Sequence, residues 1–270
     1  AGCYKSKSKS NNRKTTRPLW ICKPADSSRG RGIFIISDVN ELEYDCNYVA
    51  QRYVDRPLLL GGYKFDLRLY VAVTSMHPLR IYLHDEGLCR FSTEKYDERD
   101  YGNVYGHLTN ASINKFSPQY DEEKDTIGAG CKWSIGRLKE HLRGGGGGGA
   151  ADGFDVDKTW ERVKGIIVLT LLSIPCSVPR AADDLCFELF GFDVLIDATG
   201  KPWLLEVNTS PAMGSDCKLD EKVKLPVLHD LLDLVDAKPY GQTVWEPRRF
   251  LPRIFSAAAE AAAAGSDNER

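Results

Sequence analysis

FELFGFDVLID, followed at once by the KPWLLEVNTSP stretch, restricts this chain more than any other segment. Both runs read as neighbouring strands. Asp193 follows Phe-Gly-Phe and precedes Val-Leu-Ile, and Glu206 and Asn208 stand two apart, so an extended strand turns that pair to one face. Three oxygen-bearing side chains converging from a hairpin suit a hard cation such as Mg²⁺, which takes carboxylate, water and phosphate oxygens. A carboxylate inside an apolar strand is costly unless it is paired or metal-bound. The apolar neighbours around all of these positions weigh against an ordinary hairpin with solvated polar residues.

Upstream, LWICK ends in Lys23 and runs into PADSSRGRGIFII. A basic residue, a Ser/Gly/Arg loop and an apolar β-like run fit a phosphate-cradling turn, with backbone N–H groups lining a nest and Lys23 as a point charge. SRGRG matches neither the Walker A pattern nor G-x-G-x-x-G, and taken alone it fits a flexible surface turn as well.

The balance of 42% hydrophobic and 27% charged residues over 270 positions is globular, enough for one large or two small α/β lobes. A net charge of −2 supplies no global field toward nucleic acid or membrane, so neither is expected as a partner. Residues 1–18 form a basic N-terminal arm: Lys5, Lys7, Lys9, Arg13, Lys14 and Arg17 have no acid among them. Such an arm is a solvated tail or a docking element for an acidic polymer. None of the 8 cysteines forms a C-x-x-C pair, and Cys22 and Cys89 sit in strand-like runs as reduced core residues, which favours a reducing compartment. The apolar run from Ile166 ends at Pro175, too short to cross a bilayer, and the start carries no secretory pattern. A cytoplasmic location is expected.

Residues 19–23, 33–36 and 48–54 read as strands, and KFDLRLYVAVTS (64–75) as a long central strand. LRIYLHDEGLCRFST (79–93) predicts a hairpin turning at Asp85-Glu86-Gly87. The stretch from Lys95 to Pro118 reads as loop, and Lys132 to Leu142, Val156 to Ser173 and Leu219 to Val235 as helices. The run Gly144–Gly149 marks a flexible insertion, placed at 143–153, and residues 241–270 form a low-complexity C-terminal extension. Strand clusters interrupted by helices predict an α+β architecture of two lobes, with the phosphate loop in one, the Asp193/Glu206/Asn208 hairpin in the other and a nucleotide in the cleft between.

The motifs CKP, SSRGRGI, QRYV, GGYKFDLRLYV, RFST, HLTNASINK, FELFGFDVLID and KPWLLEVNTSP occur in one order. Together, from Leu19 to about Val235, they closely resemble the tubulin tyrosine ligase-like family, and within it the glutamate-adding members; GCKWSIGRL and the stretch at Ser177 add to the likeness. The resemblance implies an ATP-grasp-like catalytic region over 19–240, with ATP and Mg²⁺ as cofactors, which joins an amino acid to tubulin. It assigns Lys23, Arg29 and Gly30 to the ATP phosphates and Gln51 to the adenine edge, with Arg52, Tyr53 and Val54 as the hinge beside it. Lys64, Phe65, Asp66, Thr109 and Asn110 are further nucleotide contacts. Arg68 falls near the transferred phosphoryl; Asp66 and Arg68 could instead pair with each other. Arg90 clamps the carboxylate of the incoming amino acid, for which a guanidinium fork is suited. Ser112 and Lys132 contact the incoming glutamate, and Asp193, Glu206 and Asn208 hold Mg²⁺. Arg68, Arg90 and Glu206 are thus the candidate catalytic residues. His107 is given a structural role in the HLTN turn, and Asn114 and Lys115 receive none. The family places a further lobe before the CKP strand, where this sequence has its basic arm.

The implied reaction adds glutamate to γ-carboxylates in tubulin C-terminal tails through an acyl phosphate, with Arg29 pointing to chain initiation. The implied partners are microtubules with their acidic tails and free L-glutamate, in the cytoskeleton and at the axoneme or basal body of a cilium or flagellum. A glycine or tyrosine ligase of the same fold is the alternative enzyme, and a catalytically silent microtubule- or axoneme-binding protein the alternative of another class. Lys132 favours glutamate over glycine.

Overall fold

The computed structural model describes residues 18–27, 30–42, 45–120, 127–128, 130–144, 154–174 and 186–235, with the backbone of 255–256. The basic arm up to residue 17, the polyglycine run beyond Gly144, and most of the C-terminal extension lie outside the described residues.

In chain order the strands and helices are β1 (Trp20–Pro24), β2 (Phe34–Ile36), β3 (Tyr48–Arg52), β4 (Leu59–Leu60), β5 (Tyr63–Met76), β6 (Leu79–Phe91), α1 (Val104–His107) and α2 (Ala111–Asn114). There follow β7 (Lys132–Ser134), α3 (Ile135–Arg143), α4 (Val156–Leu172), β8 (Glu188–Ile196), β9 (Pro202–Asn208), α5 (Lys218–Leu234) and β10 (Phe255–Ser256). The chain divides into two compact units, residues 1–65 with 90–131, and residues 66–89 with 132–270.

The first unit is built on a 3-stranded sheet ordered β2-β1-β3. Both pairings are antiparallel, and Cys22 at the centre of β1 is a buried free thiol, as its apolar neighbours predict. The stretch from Lys95 to Pro118, expected as loop, carries the one-turn helices α1 and α2.

In the second unit the main sheet runs β10-β6-β5-β8-β9. The pairings β5–β8 and β8–β9 are antiparallel, in keeping with the α+β expectation. Leu67, Leu69, Tyr70, Val71 and Ala72 are all fully buried. Burial on both faces is why the sequence of β5 turns from alternating to continuously apolar. Tyr70, Leu88, Val223 and Val227 form a core cluster that seats α5 on the sheet.

The predicted hairpin at Asp85-Glu86-Gly87 is not formed. The chain turns at His77-Pro78, and Leu79–Phe91 is one strand. Glu86 caps a distant helix instead: its carboxylate accepts from the N–H groups of Ile135 at 3.1 Å and Gly136 at 3.2 Å, at the start of α3. Those donors have no partner inside a helix, and negative charge is favoured at that end. At Gly87 a Cβ would stand 2.5 Å from the carbonyl oxygen of Arg68, so this glycine serves strand approach rather than a turn. The helix expected from Lys132 begins at Ile135, with Ser134 as its N-cap accepting from the N–H of Arg137.

Candidate functional site

In the first unit, the register of β1 with β3 sets Ile21 opposite Gln51 and Lys23 opposite Val49. Lys23 and Gln51 are therefore diagonal neighbours on one face, and Lys23 Nζ donates to Gln51 Oε1 at 3.0 Å. The expected phosphate cation and adenine reader are held to each other. Arg29 lies outside the described residues. Gly30 has φ 77, and a Cβ there would run into Ile113 and stand 3.2 Å from Asn110 Cγ. This glycine is what lets the loop after β1 close onto the HLTN segment, bringing Gly30 and Asn110 together.

Beside β3, Arg52 is exposed, Tyr53 buried and Val54 half-buried. Lys64 is buried, and its Nζ donates to Tyr53 Oη at 3.0 Å and to the carbonyl oxygen of His107 at 2.8 Å. His107 is equally buried. Its Nε2 lies 3.0 Å from the carbonyl oxygen of Asp100 and 3.2 Å from that of Asp97, which can only accept. The imidazole proton is therefore assigned to Nε2, and Nδ1 accepts from the Tyr53 hydroxyl at 2.7 Å. Burial, then the Lys64 charge, pull the His107 pKa down to about 4, so the ring is neutral near pH 7. Burial likewise pushes the Tyr53 phenol up. His107 is thus a neutral link in a buried chain, as the structural role expected for it requires.

Asn114 holds the same turn. Its Oδ1 accepts from Thr93 N at 2.9 Å and Thr93 Oγ1 at 2.8 Å, and its Nδ2 donates to the carbonyls of Leu108 at 2.8 Å and Asn110 at 3.0 Å. It fixes the segment bearing Thr109 and Asn110 to the strand end that follows Arg90. Thr109 is buried; Arg90, Asn110 and Ser112 are half-buried. The Phe65 side chain belongs to the core, its ring centroid 5.6 Å from that of Phe91.

In the second unit, the register places Arg68 opposite Asp193 and Asp193 opposite Glu206, a row across three strands. Asn208, opposite Gly191, lies on the same face. A register shift between Asp193 and Val194 bends the ladder at this point. Arg68 forks onto Asp193, Nε to Oδ1 at 2.5 Å and Nη2 to Oδ2 at 3.0 Å, with side chains 12% and 4% exposed. This is what makes the Asp193 carboxylate tolerable in its apolar strand. Arg68 is thereby paired with Asp193 rather than with the Asp66 of its own strand, which is itself buried. Glu206 is exposed, and its Oε1 lies 3.4 Å from Asn208 Nδ2.

Asp193, Glu206 and Asn208 suit a hard divalent cation: two carboxylates and an amide oxygen on one face. Among the described residues no three His, Cys, Asp or Glu side chains gather as a metal cluster. Lys132, expected to meet the incoming glutamate, donates to Asp220 Oδ2 at 2.7 Å. Asp220 is fully buried and also takes Lys224, at 3.3 Å from Oδ1. Neither Asp220 nor Lys224 was among the expected site residues. A signal was present: helical spacing puts Asp220, Val223, Lys224, Val227 and Leu231 in the buried stripe of α5, where an acid and a base are out of place. No helix among the described residues is long and apolar enough to cross a membrane.

The sequence profile of the Tubulin-tyrosine ligase family matches residues 4–243. Over 223 residues the chain is 50% identical to the Homo sapiens protein named Probable tubulin polyglutamylase TTLL2, covering 82% of this chain and 36% of that one. It is 40% identical over 235 residues to Tubulin polyglutamylase TTLL5 of Homo sapiens, with 83% and 18% covered. To Tubulin polyglutamylase TTLL6 of Mus musculus it is 37% identical over 229 residues, with 80% and 27% covered. The chain therefore spans only a minor part of the length of these relatives. It belongs to the tubulin-tyrosine ligase family.

Proposed function

From membership of that family we propose that the chain is the catalytic region of a tubulin polyglutamylase, an ATP- and Mg²⁺-dependent ligase that joins free L-glutamate to γ-carboxylates of glutamates in tubulin C-terminal tails. The observation that carries the reading is the single-face row Arg68–Asp193–Glu206 with Asn208 beside it, in a chain 50% identical over 223 residues to a protein named Probable tubulin polyglutamylase TTLL2. The nucleotide contacts of the ATP-grasp-like plan are Lys23, Gly30, Gln51, Arg52, Tyr53, Val54, Lys64, Phe65, Asp66, Thr109 and Asn110. The two compact units support a two-lobed plan. Arg29 and its initiating role rest on the sequence resemblance alone.

A carboxylate is a poor acyl donor, so the target γ-carboxylate first takes the γ-phosphoryl of ATP, releasing ADP. The amine of glutamate then attacks the acyl carbon, phosphate leaves, and the nitrogen loses a proton. Such transfer rests on positioning and charge neutralisation. Asp193, Glu206 and Asn208 would hold the Mg²⁺, which would supply neutralisation of phosphate charge. Arg68 orients Asp193 through its fork, Lys64 supplies a buried positive charge, and Arg90 takes the α-carboxylate of the incoming glutamate. On this reading the protein acts at microtubules, with ciliary or flagellar axonemes and basal bodies as its places of work.

The test is mass spectrometry of tubulin-tail peptides, unmodified and singly glutamylated, after incubation with the chain, MgATP and glutamate, glycine or tyrosine in turn. The expected product is a single glutamate on the unmodified peptide, abolished by Glu206→Gln with circular dichroism unchanged. A glycine or tyrosine product reassigns the amino acid. Preference for the branched peptide reverses the initiating role. Glu206→Gln with full turnover sinks the metal assignment.

A further inference from the structure

Asp220 stands at the start of α5, fully buried, where an unpaired carboxylate is costly. Three groups converge on it. Lys132 Nζ donates to Oδ2 at 2.7 Å, the backbone N–H of Asp216 donates to Oδ2 at 3.1 Å, and Lys224 Nζ lies 3.3 Å from Oδ1. Lys224 also donates to the carbonyl oxygen of Gly214 at 2.5 Å. Burial pushes the Asp220 pKa up, but the Lys132 hydrogen bond and both ammonium charges outweigh it and hold the carboxyl below its ordinary range.

Within this knot two ammonium groups share one carboxylate. Lys224 is also bound to a backbone carbonyl, whereas Lys132, its side chain 13% exposed against 8% for Lys224, is the slightly more open of the two. Of the two, Lys132 is the one with no backbone carbonyl among its acceptors in the described residues. The Asp216 bond also ties down the segment that runs from Asn208, at the end of β9, into α5. One carboxylate thus fixes a cation and the backbone that follows the candidate metal strand.

We propose that Asp220 is a positioning residue that holds the Lys132 ammonium toward the side-chain carboxylate of the incoming amino acid, and so sets the preference of this site for an acidic amino acid over a neutral one. The proposal rests on the polyglutamylase reading above. A flexible lysine loses rotamer freedom when it grips a ligand; a buried anchor fixes it beforehand and lowers that cost. Asp220 is fully buried and bonded to Lys132, so it acts on the amino acid through that ammonium.

The test compares wild type with Asp220→Asn, Asp220→Glu and Lys132→Gln, reading apparent KM for glutamate and for ATP, and the glutamate-to-glycine product ratio, on tail peptides. Asp220→Asn keeps an acceptor for the Asp216 N–H but not the charge. It is expected to raise the glutamate KM about tenfold, to leave the ATP KM within about twofold, and to lower the glutamate-to-glycine ratio; Asp220→Glu recovers part of the loss. The double variant Asp220→Asn/Lys132→Gln should be no worse than Lys132→Gln alone, because both act through one ammonium. If Lys132→Gln raises the glutamate KM and Asp220→Asn does not, the positioning role is overturned while the ligase reading stands. Both KM values rising together with a lowered melting temperature reduces Asp220 to a structural ion pair. If Asp220→Asn does not fold, Asp220→Glu decides on the same readouts, an unmoved glutamate KM overturning the role. A wild-type chain that forms no glutamate product overturns the ligase reading, and this assignment with it.

Discussion

In the first unit Lys64 is buried against neutral partners, a phenol and a backbone carbonyl. In the second, Arg68 and Lys132 are each closed onto a buried carboxylate. Both arrangements satisfy a buried cation, and they do so with different kinds of acceptor. Lys64 donates to dipoles, a phenol oxygen and a carbonyl oxygen. Arg68 is cancelled by Asp193, so its contribution is directional: it aims a carboxylate. The two also respond differently to substitution. Removing a neutral partner leaves an unmet hydrogen bond, whereas removing one member of a buried ion pair strands a charge.

That contrast is broken most directly at Arg68. Arg68→Ala leaves Asp193 buried and without its fork. The expected loss is about 3–5 kcal/mol of stability, read as a lowered urea midpoint at unchanged slope. The double variant Arg68→Ala/Asp193→Ala should lose less than the sum of the singles. A loss under about 1 kcal/mol for Arg68→Ala would show that the pair behaves as a surface one.

The neutral network is probed through pH. Unfolded, His107 titrates near 6.5; folded, at about 4. The unfolded chain therefore binds the proton more readily, and acid favours unfolding. The contribution is whole above pH 6.5, declines as pH falls, and is lost once pH drops through about 4, on the order of 3 kcal/mol in all. Burial disfavours the charged ring and the nearby Lys64 charge adds to that, which is the physical reason for the sign. His107→Gln should flatten that part of the stability–pH curve. An unchanged curve in the variant would mean that other groups carry the acid sensitivity.

How far such features were legible in the sequence depends on the span of the interaction. The Asp193/Glu206/Asn208 face could be read because its signals are local: alternation within a strand, and carboxylates among apolar neighbours. The long central strand and α4 were legible for the same reason, a sustained pattern. Asp85-Glu86-Gly87 misled, because its residues are those of a turn, while the partners of Glu86 lie in a helix whose first residue is 49 positions later. The Lys132–Asp220 bond joins residues 88 apart and Arg68–Asp193 residues 125 apart. No local period reports such pairings; a buried-stripe Asp can only announce that some partner exists. Tyr53 was expected beside the adenine reader and His107 within its turn, each on the strength of its own motif, but the bond between them, across 54 positions, was invisible.

The smallest effect is expected where the first unit does carry an ion pair. Arg99 Nε approaches Asp97 Oδ1 at 3.1 Å, with side chains 84% and 47% exposed. The Arg99 hydrogen bonds lower the Asp97 pKa, yet in water and salt such attraction is largely screened and offset by the entropy of holding long side chains. Asp97 also matters through its backbone, since its carbonyl oxygen accepts from His107 Nε2. Arg99→Ala removes the ion pair and leaves that carbonyl in place, so it separates surface charge from the buried network. The urea midpoint should not move measurably, and the acid limb assigned to His107 should keep its position. A midpoint shift comparable to that of Arg68→Ala would erase the distinction between the units. A moved acid limb with an unmoved midpoint would mean that Arg99 reaches His107 by ordering the 97–100 segment, and would extend the neutral network to the surface.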